Sequence, residues 1–548
     1  MVRDNGITDK RLGMYASFSP AIVHWDIIKR KEDATKPAAW SLPAALLFVD
    51  IAGFTALCTQ LDVSVLQAHI NNYFSALINA IYDCSGDVLK FAGDAIVCGW
   101  FVRDAADVSF AARTACECAL KLVELCGSRS LAGGISEQLT VHVGLGVGMA
   151  HLFRVGSEER QELLVYGEAM QQAFAAEHEA AASEVVCSRE AWALVTDVCD
   201  GDPRGHIGQA VLRRMTTLPA VEQLKHTLLA SGLLRLQRSR LLHTQIKHAS
   251  SHRYHLERML RSFAHQDLCQ EIDACIDPQE LVIAEQRTVA VAFCKVVGLT
   301  SALETAAAGL DAVQRCMLTA LEVITASGGL LRQFIVDDKG VVLMWTFGLH
   351  GSSASALGSR GLHSCVEMSK ALETQQLQTY IGLTSGMVYC GLVGGPYRAE
   401  YNVLGPSVIL AARLMGVCAG KGIKLLCDAA IHERVLTEQS PQSPGSLGVR
   451  SPAVRANMAK VLFTFSKLDP LVLKGYDEAV PAFAPHMEAK PVSFKDNSPH
   501  TKDVQQVPAQ GDVFAEDEGR GGGKPAAQWS VRISARGKSR STVHGTPV

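Results

Sequence analysis

Residues Ala45–Leu57 read ALLFVDIAGFTAL, and residues Gly86–Phe101 read GDVLKFAGDAIVCGWF. The run Ala45–Val49 is short, continuous and apolar, as expected of a strand covered on both faces. Gly53 allows a turn, after which Val65, Leu66, Ile70, Tyr73, Phe74, Leu77, Ile78 and Ile81 recur at helical spacing. Val88–Phe91 and Ala95–Trp100 form two further strands joined at Ala92-Gly93-Asp94, which predicts a hairpin. A hairpin beside the first strand brings Asp50 and Asp94 to one end of one sheet. Two carboxylates in an apolar setting repel each other, so the pair calls for a cation. Magnesium or manganese, bound through hard oxygen ligands, is the usual solution.

Working outward, Ala105–Leu125 has the pattern of an Ala- and Cys-rich helix. Leu139–Val147 (LTVHVGLGV) reads as a strand in which Gly144, Gly146 and Gly148 permit close backbone approach. Leu163–Tyr166 and Val185–Cys187 are further strands, each followed by a helix, and the alternation predicts a mixed α/β (α+β) sandwich. The chain then repeats itself. FVDIAGFT at Phe48 pairs with FCKVVGLT at Phe293, GLGVGM at Gly144 with GLTSGM at Gly382, and VYGEAM at Val165 with VLGPSV at Val403. The offsets stay between 238 and 245 residues, which means two copies of one domain in tandem. The expected organisation is a lead-in without clear periodicity (1–40), a first domain (41–210), a helical linker (211–285), a second domain (286–482) and a disordered tail (483–548). Helical spacing in the linker runs from Ala220 to Leu242, and Gln439–Pro452 reads as a Ser-, Pro- and Gly-rich surface loop. The polar tail cannot bury a core.

Composition narrows the function class. The 548 residues carry a net charge of −3, which argues against a dedicated nucleic-acid binder. The 16 cysteines form no CxxC pairs, and no leader peptide is evident at the start. Reduced thiols and a cytoplasmic location follow as expectations. No run reaches the roughly 20 apolar residues of a membrane helix.

FVDIAGFT followed by LKFAGDAI resembles the first catalytic domain of class III nucleotidyl cyclases, in particular the soluble, bicarbonate-responsive adenylyl cyclases of animals. The similarity covers residues 40–480. It implies two cyclase homology domains in a pseudo-symmetric head-to-tail pair, an active site at their interface, and a monomer whose domains pair within the chain. In such enzymes the ribose 3′-OH of ATP attacks the α-phosphate, pyrophosphate leaves, and cyclic AMP forms with two metal ions, Mg2+ or Mn2+, at the centre. By resemblance Asp50, Asp94 and the carbonyl of Ile51 hold the metals. Gly53, Phe54 and Thr55 form the turn whose free N–H groups favour phosphate. Arg413, in VILAARLM, faces the charge that builds at the α-phosphate, and Lys474, in LVLKGYDEAV, binds the triphosphate.

The second copy carries Lys295 where the first has Asp50. Asp337 or Asp338 in its hairpin lacks a partner carboxylate, so one metal centre per chain is expected. Several departures from the family matter. Ile409 stands where active members carry a ribose-orienting Asn, and the adenine-reading Lys falls on Gln333, with Arg332 beside it. The second base-contacting position is Asn402. In the related enzymes bicarbonate binds a degenerate pseudo-site between a Lys and an Arg. Lys90 keeps the first position, Phe174 replaces the second, and Val165 and Val336 line the same place, so weak or absent bicarbonate binding is expected. Arg154 is the alternative cation. Three readings stay open: an adenylyl cyclase, a cyclase-like pseudoenzyme that binds nucleotide or partners without turnover, and a guanylyl cyclase.

Overall fold

The computed structural model describes residues 9–30, 35–52, 63–127, 140–204, 208–216, 253–275, 284–337, 339–349, 355–395, 397–440, 461–476 and 478–489. Gly53–Thr55, Asp338, the helical spacing of 220–242, residues 441–460, which include most of the expected surface loop, and everything beyond 489 lie outside them.

The first sheet contains β1 (Ala38–Ala52), β2 (Asp87–Ala92), β3 (Ala95–Phe101), β4 (Thr140–Gly156), β5 (Gln161–Tyr166), β6 (Val185–Cys187), β7 (Cys199–Arg204) and β8 (Gln209–Met215). The second contains β9 (Ala284–Val297), β10 (Leu330–Asp337), β11 (Gly340–Phe347), β12 (Gln378–Gly394), β13 (Ala399–Leu404), β14 (Leu425–Asp428), β15 (Val461–Lys467) and β16 (Ala482–Ala489). Their strand orders are β2-β3-β1-β4-β6-β8-β7 and β10-β11-β9-β12-β14-β16-β15, with β5 on β4 and β13 on β12. The second order is the first shifted by eight strands throughout, so the repeat read from three motif pairs extends to whole sheets.

Helices cover the sheets in matching places. In the first half these are α3 (Val63–Asp83), α4 (Val108–Gly127), α5 (Glu168–His178) and α6 (Arg189–Val195), after α1 (Asp9–Ser17) and α2 (Ala21–Arg30). Between the halves come α7 (Arg253–Arg261) and α8 (Gln266–Ala274). The second half has α9 (Ala306–Ala326), α10 (Leu357–Glu373), α11 (Pro406–Lys421) and α12 (Ala429–Gln439). Two glycines explain how closely the functional helices sit. A Cβ on Gly144 would lie 2.0 Å from the Ala173 carbonyl oxygen of α5, and one on Gly382 would lie 2.2 Å from that of Ala411 on α11. Only hydrogen at these positions lets the helix backbone rest on the long central strand.

The halves share cores. Phe153, Val155, Leu164 and Tyr166 of the first half belong to the second half's apolar cluster. Gln314 on α9 donates to the Gly156 carbonyl and accepts from its N–H, both at 2.8 Å. In return α3 packs on β12, where the Ser75 hydroxyl donates to Gly394 O at 2.8 Å.

Two expectations need correction. The lead-in is helical: Leu12, Tyr15 and Val23 are fully buried, and Asp87 accepts from the N–H groups of Ala21 (3.0 Å) and Ile22 (2.8 Å), capping α2. Its apolar residues show no clean period because α1 and α2 are short and draw their stability from tertiary burial. The tail also starts later than expected, since β16 runs through Pro485 to Ala489. It pairs with β15 and, at Cys427–Asp428, with β14.

Candidate active site

The β1–β3 register ends at Val49 opposite Ile96. Asp50 is therefore one residue past the last pair, beside the β2–β3 turn that carries Asp94. Gly93 occupies the left-handed region at φ 69°, which favours glycine and swings Asp94 towards β1. Both carboxylates are only partly exposed. Burial, followed by the Asp50 charge, pushes the Asp94 carboxyl up to about 7, while Arg413 and Lys339 pull it the other way. Four charged groups thus meet here: two carboxylates of the first half and two cations of the second.

Arg413 lies on α11, held against β12 through Gly382. It forms no ion pair among the described residues, and its Nε is buried without a hydrogen-bond partner. A buried guanidinium N–H left unmade costs free energy unless a ligand accepts from it. Tyr476 lies in the same corner, where its hydroxyl donates to Pro406 O at 3.2 Å and Arg413 is the nearby cation. Lys474, two residues earlier, is exposed, and no contact joins it to Asp94 or Arg413 among the described residues. Ile409 sits half-buried on the first turn of α11.

The two amides expected to read the base each donate to a backbone carbonyl of the first half. Gln333 donates through Nε2 to Phe91 O at 2.7 Å, and Asn402 through Nδ2 to Gly93 O at 3.2 Å. Both are almost fully buried. They fasten the Asp94 hairpin to the second half by its own backbone.

In the second half Lys295 pairs with Val342 on β11. Asp337 accepts from Lys339 N at 2.8 Å, with the Lys339 ammonium 3.7 Å away. That hairpin therefore presents a carboxylate, Asp337, already beside a cation. Among the described residues no three His, Cys, Asp or Glu side chains form a metal-binding group. The Asp50–Asp94 pair fits a divalent cation on other grounds: two hard-oxygen donors, one of them raised to about 7 by burial and by the charge of the other.

At the expected bicarbonate position, Lys90, Val165 and Val336 do line one pocket, with Phe48 and Asp337. Phe174 stands behind it, edge-on to Phe48 at 5.0 Å. Lys90 forms ion pairs with Glu162 (2.5 Å) and Glu400 (3.8 Å). Arg154 is no substitute cation, because it is fully buried and its Nε donates to Asp26 of α2 at 3.0 Å. Sequence reading passed over Lys339, and its position in the second copy's hairpin turn, matching that of Asp94, was the available signal.

A family model described as the adenylate and guanylate cyclase catalytic domain matches residues 41–208 and 245–440. The chain belongs to this cyclase family. The adenylate cyclase type 10 of Oryctolagus cuniculus is 25% identical over 426 residues, covering 72% of this chain and 25% of that protein. The Homo sapiens protein of that name is 24% identical over 415 residues, covering 71% and 24%. This cyclase-family chain thus spans about a quarter of the length of the curated relatives it matches. Among solved structures it is similar to a class III adenylyl cyclase-like ATP-binding protein from Pseudomonas aeruginosa. That likeness has a TM-score of 0.49 and 11% identity, and covers 81% of this chain and 98% of that one. No helix among the described residues is long and apolar enough to cross a membrane.

Proposed function

We propose that this chain is a cytoplasmic adenylyl cyclase, converting ATP to 3′,5′-cyclic AMP and pyrophosphate at the interface of its two halves as a monomer. The observation that carries this reading is the convergence of Asp50 and Asp94 with Arg413, whose buried Nε lacks a partner. Two Mg2+ or Mn2+ ions, bound by Asp50, Asp94 and the Ile51 carbonyl, would activate the 3′-OH and neutralise the triphosphate. Arg413 donates to the α-phosphate oxygens as the bond to the leaving pyrophosphate breaks. Lys339 adds positive charge at the same mouth, and Lys474 and the turn at Gly53, Phe54 and Thr55 are assigned to the phosphates by resemblance. With Gln333 and Asn402 tied to the hairpin, the choice of ATP over GTP rests on similarity to adenylate cyclase type 10. The test is purified protein with manganese and either ATP or GTP, scored for cyclic product. Cyclic AMP from ATP is expected, and cyclic GMP alone would make it a guanylyl cyclase.

A second reading, nucleotide binding without turnover, is favoured by the same two tied amides together with Ile409. Ile409→Asn separates the two. A ribose-orienting amide acts mainly in the transition state, so kcat is expected to rise about tenfold at little change in KM. An unchanged or lower rate would mean that orientation is supplied elsewhere.

Bicarbonate is expected to give little or no stimulation at physiological levels. Lys90 is already neutralised by two carboxylates, and burying an anion beside Phe48, Val165 and Val336 costs desolvation that one ammonium does not offset. The measurement is a bicarbonate titration at fixed pH and ionic strength, on the wild type and Phe174→Arg. Saturating stimulation of the wild type in the millimolar range would overturn this.

A further inference from the structure

Between the halves lies a second polar site, unrelated to Asp94. At the start of β5 the sequence reads Arg160-Gln161-Glu162, and at the start of β13 it reads Arg398-Ala399-Glu400. These triplets stand 238 residues apart, the offset that separates Val165 from Val403, so they are copies of one another. Both line one open cleft, together with Lys90 of β2 and Arg332 of β10.

Charge in this cleft is unbalanced. Glu162 pairs with Lys90 and Arg160, and Glu400 pairs with Lys90 and Arg398. Arg332 forms no ion pair with either carboxylate among the described residues, although the Glu400 charge acts on it. It is 4% exposed, its Nε is buried without a partner, and it makes no hydrogen bond or ion pair among the described residues. Its guanidinium lies 5.1 Å from the centre of the Tyr401 ring. The first copy has Leu89 at the position matching Arg332, so this cation is an addition to the duplicated network. Four cations against two carboxylates leave the lining groups two positive charges in excess.

We propose that this cleft binds a phosphate-type dianion, with Arg332 as its principal donor. A buried guanidinium without a partner is costly, and an oxyanion that accepts its N–H pair offsets that cost. Two negative charges match the excess, and the arginine fork suits a phosphate. The cleft adjoins the expected bicarbonate position without coinciding with it: Val165, Val336 and Phe174 do not line it, and Leu89, Lys90 and Leu163 line both pockets. A ligand here would join β2, β5, β10 and β13, bridging the two halves directly behind the hairpin that carries Asp94.

The test is calorimetric titration of the whole chain with inorganic phosphate, against potassium chloride at equal ionic strength. Phenyl phosphate is run alongside, and whichever binds more tightly identifies the source as free phosphate or a phosphorylated small molecule. Loss of one charge-assisted contact predicts at least about tenfold weaker binding in Arg332→Gln, with most affinity kept in Arg332→Lys. Glu400→Gln removes a competing carboxylate and is expected to tighten binding, which keeps the idea testable should Arg332→Gln fail to fold. Arg413→Ala, which disables the candidate nucleotide site, is expected to leave phosphate binding within about twofold. Equal binding by Arg332→Gln and the wild type, loss of binding in Arg413→Ala, or no tightening in Glu400→Gln would overturn the proposal. No cyclic product is measured, so failure here leaves the proposed enzymatic function standing, and the reverse.

Discussion

Asp94→Ala and Asp50→Ala are each expected to lower cyclic nucleotide formation by at least about a thousandfold, which corresponds to roughly 4 kcal/mol of transition-state stabilisation. The expectation follows from the pairing of the two carboxylates across the β1–β3 end. One alone cannot hold a divalent cation against water with comparable strength. The fold is expected to survive, because both groups sit at a sheet end, where burial and then their mutual repulsion raise the Asp94 pKa. Deleting either carboxylate relieves that repulsion. The measurements are cyclic-product assays with manganese and thermal melts with and without it. Manganese should raise the melting temperature of the wild type and leave both variants unmoved. Retained activity in both variants would remove the two carboxylates from the chemistry.

Arg413→Ala is expected to cost about 10²–10³ in kcat with a smaller change in KM, the magnitude typical of a donor aimed at developing charge. A surface ion pair on α11 would predict less than about 1 kcal/mol, a few-fold at most. The geometry disfavours that alternative, since Arg413 has no ion-pair partner among the described residues and its Nε is buried. Arg413→Lys should recover only part of the rate, because an ammonium keeps the charge and loses the planar fork. A purely structural role would instead lower the melting temperature of Arg413→Ala without separating kcat from KM.

The readable parts of the fold were those governed by local pattern. The Asp94 hairpin, the Val185–Cys187 strand and the glycines of GLGVGM and GLTSGM follow from short apolar runs, turn chemistry and the absence of a Cβ. The tandem repeat followed from motif spacing alone. What escaped depended on contacts distant in sequence. The helices of the lead-in fold because Asp87 caps one of them and the first domain buries their apolar residues. Pro485 and the polar residues after it looked like the start of a tail, yet they form a strand because β15 is there to pair with. Gln333 and Asn402 read as base contacts because amides suit purine edges, and nothing local revealed that each would also donate to a backbone carbonyl of the other half. The R-x-E triplets at 160 and 398 were open to reading, at the same offset as the other repeats. Their meaning required knowing that the two copies face each other.

The shared core between the halves has a genetic consequence. Phe153 and its neighbours complete the apolar cluster of the second half, and Gln314 is bonded twice to Gly156, so exchange of halves between two chains requires breaking a folded interior. A chain carrying Asp94→Ala and another carrying Arg413→Ala, made together in one cell, should therefore not rescue one another, although each holds the half that the other lacks. Their defects behave as alleles of one indivisible unit, and inheritance would score them as a single locus with no complementation between its two ends.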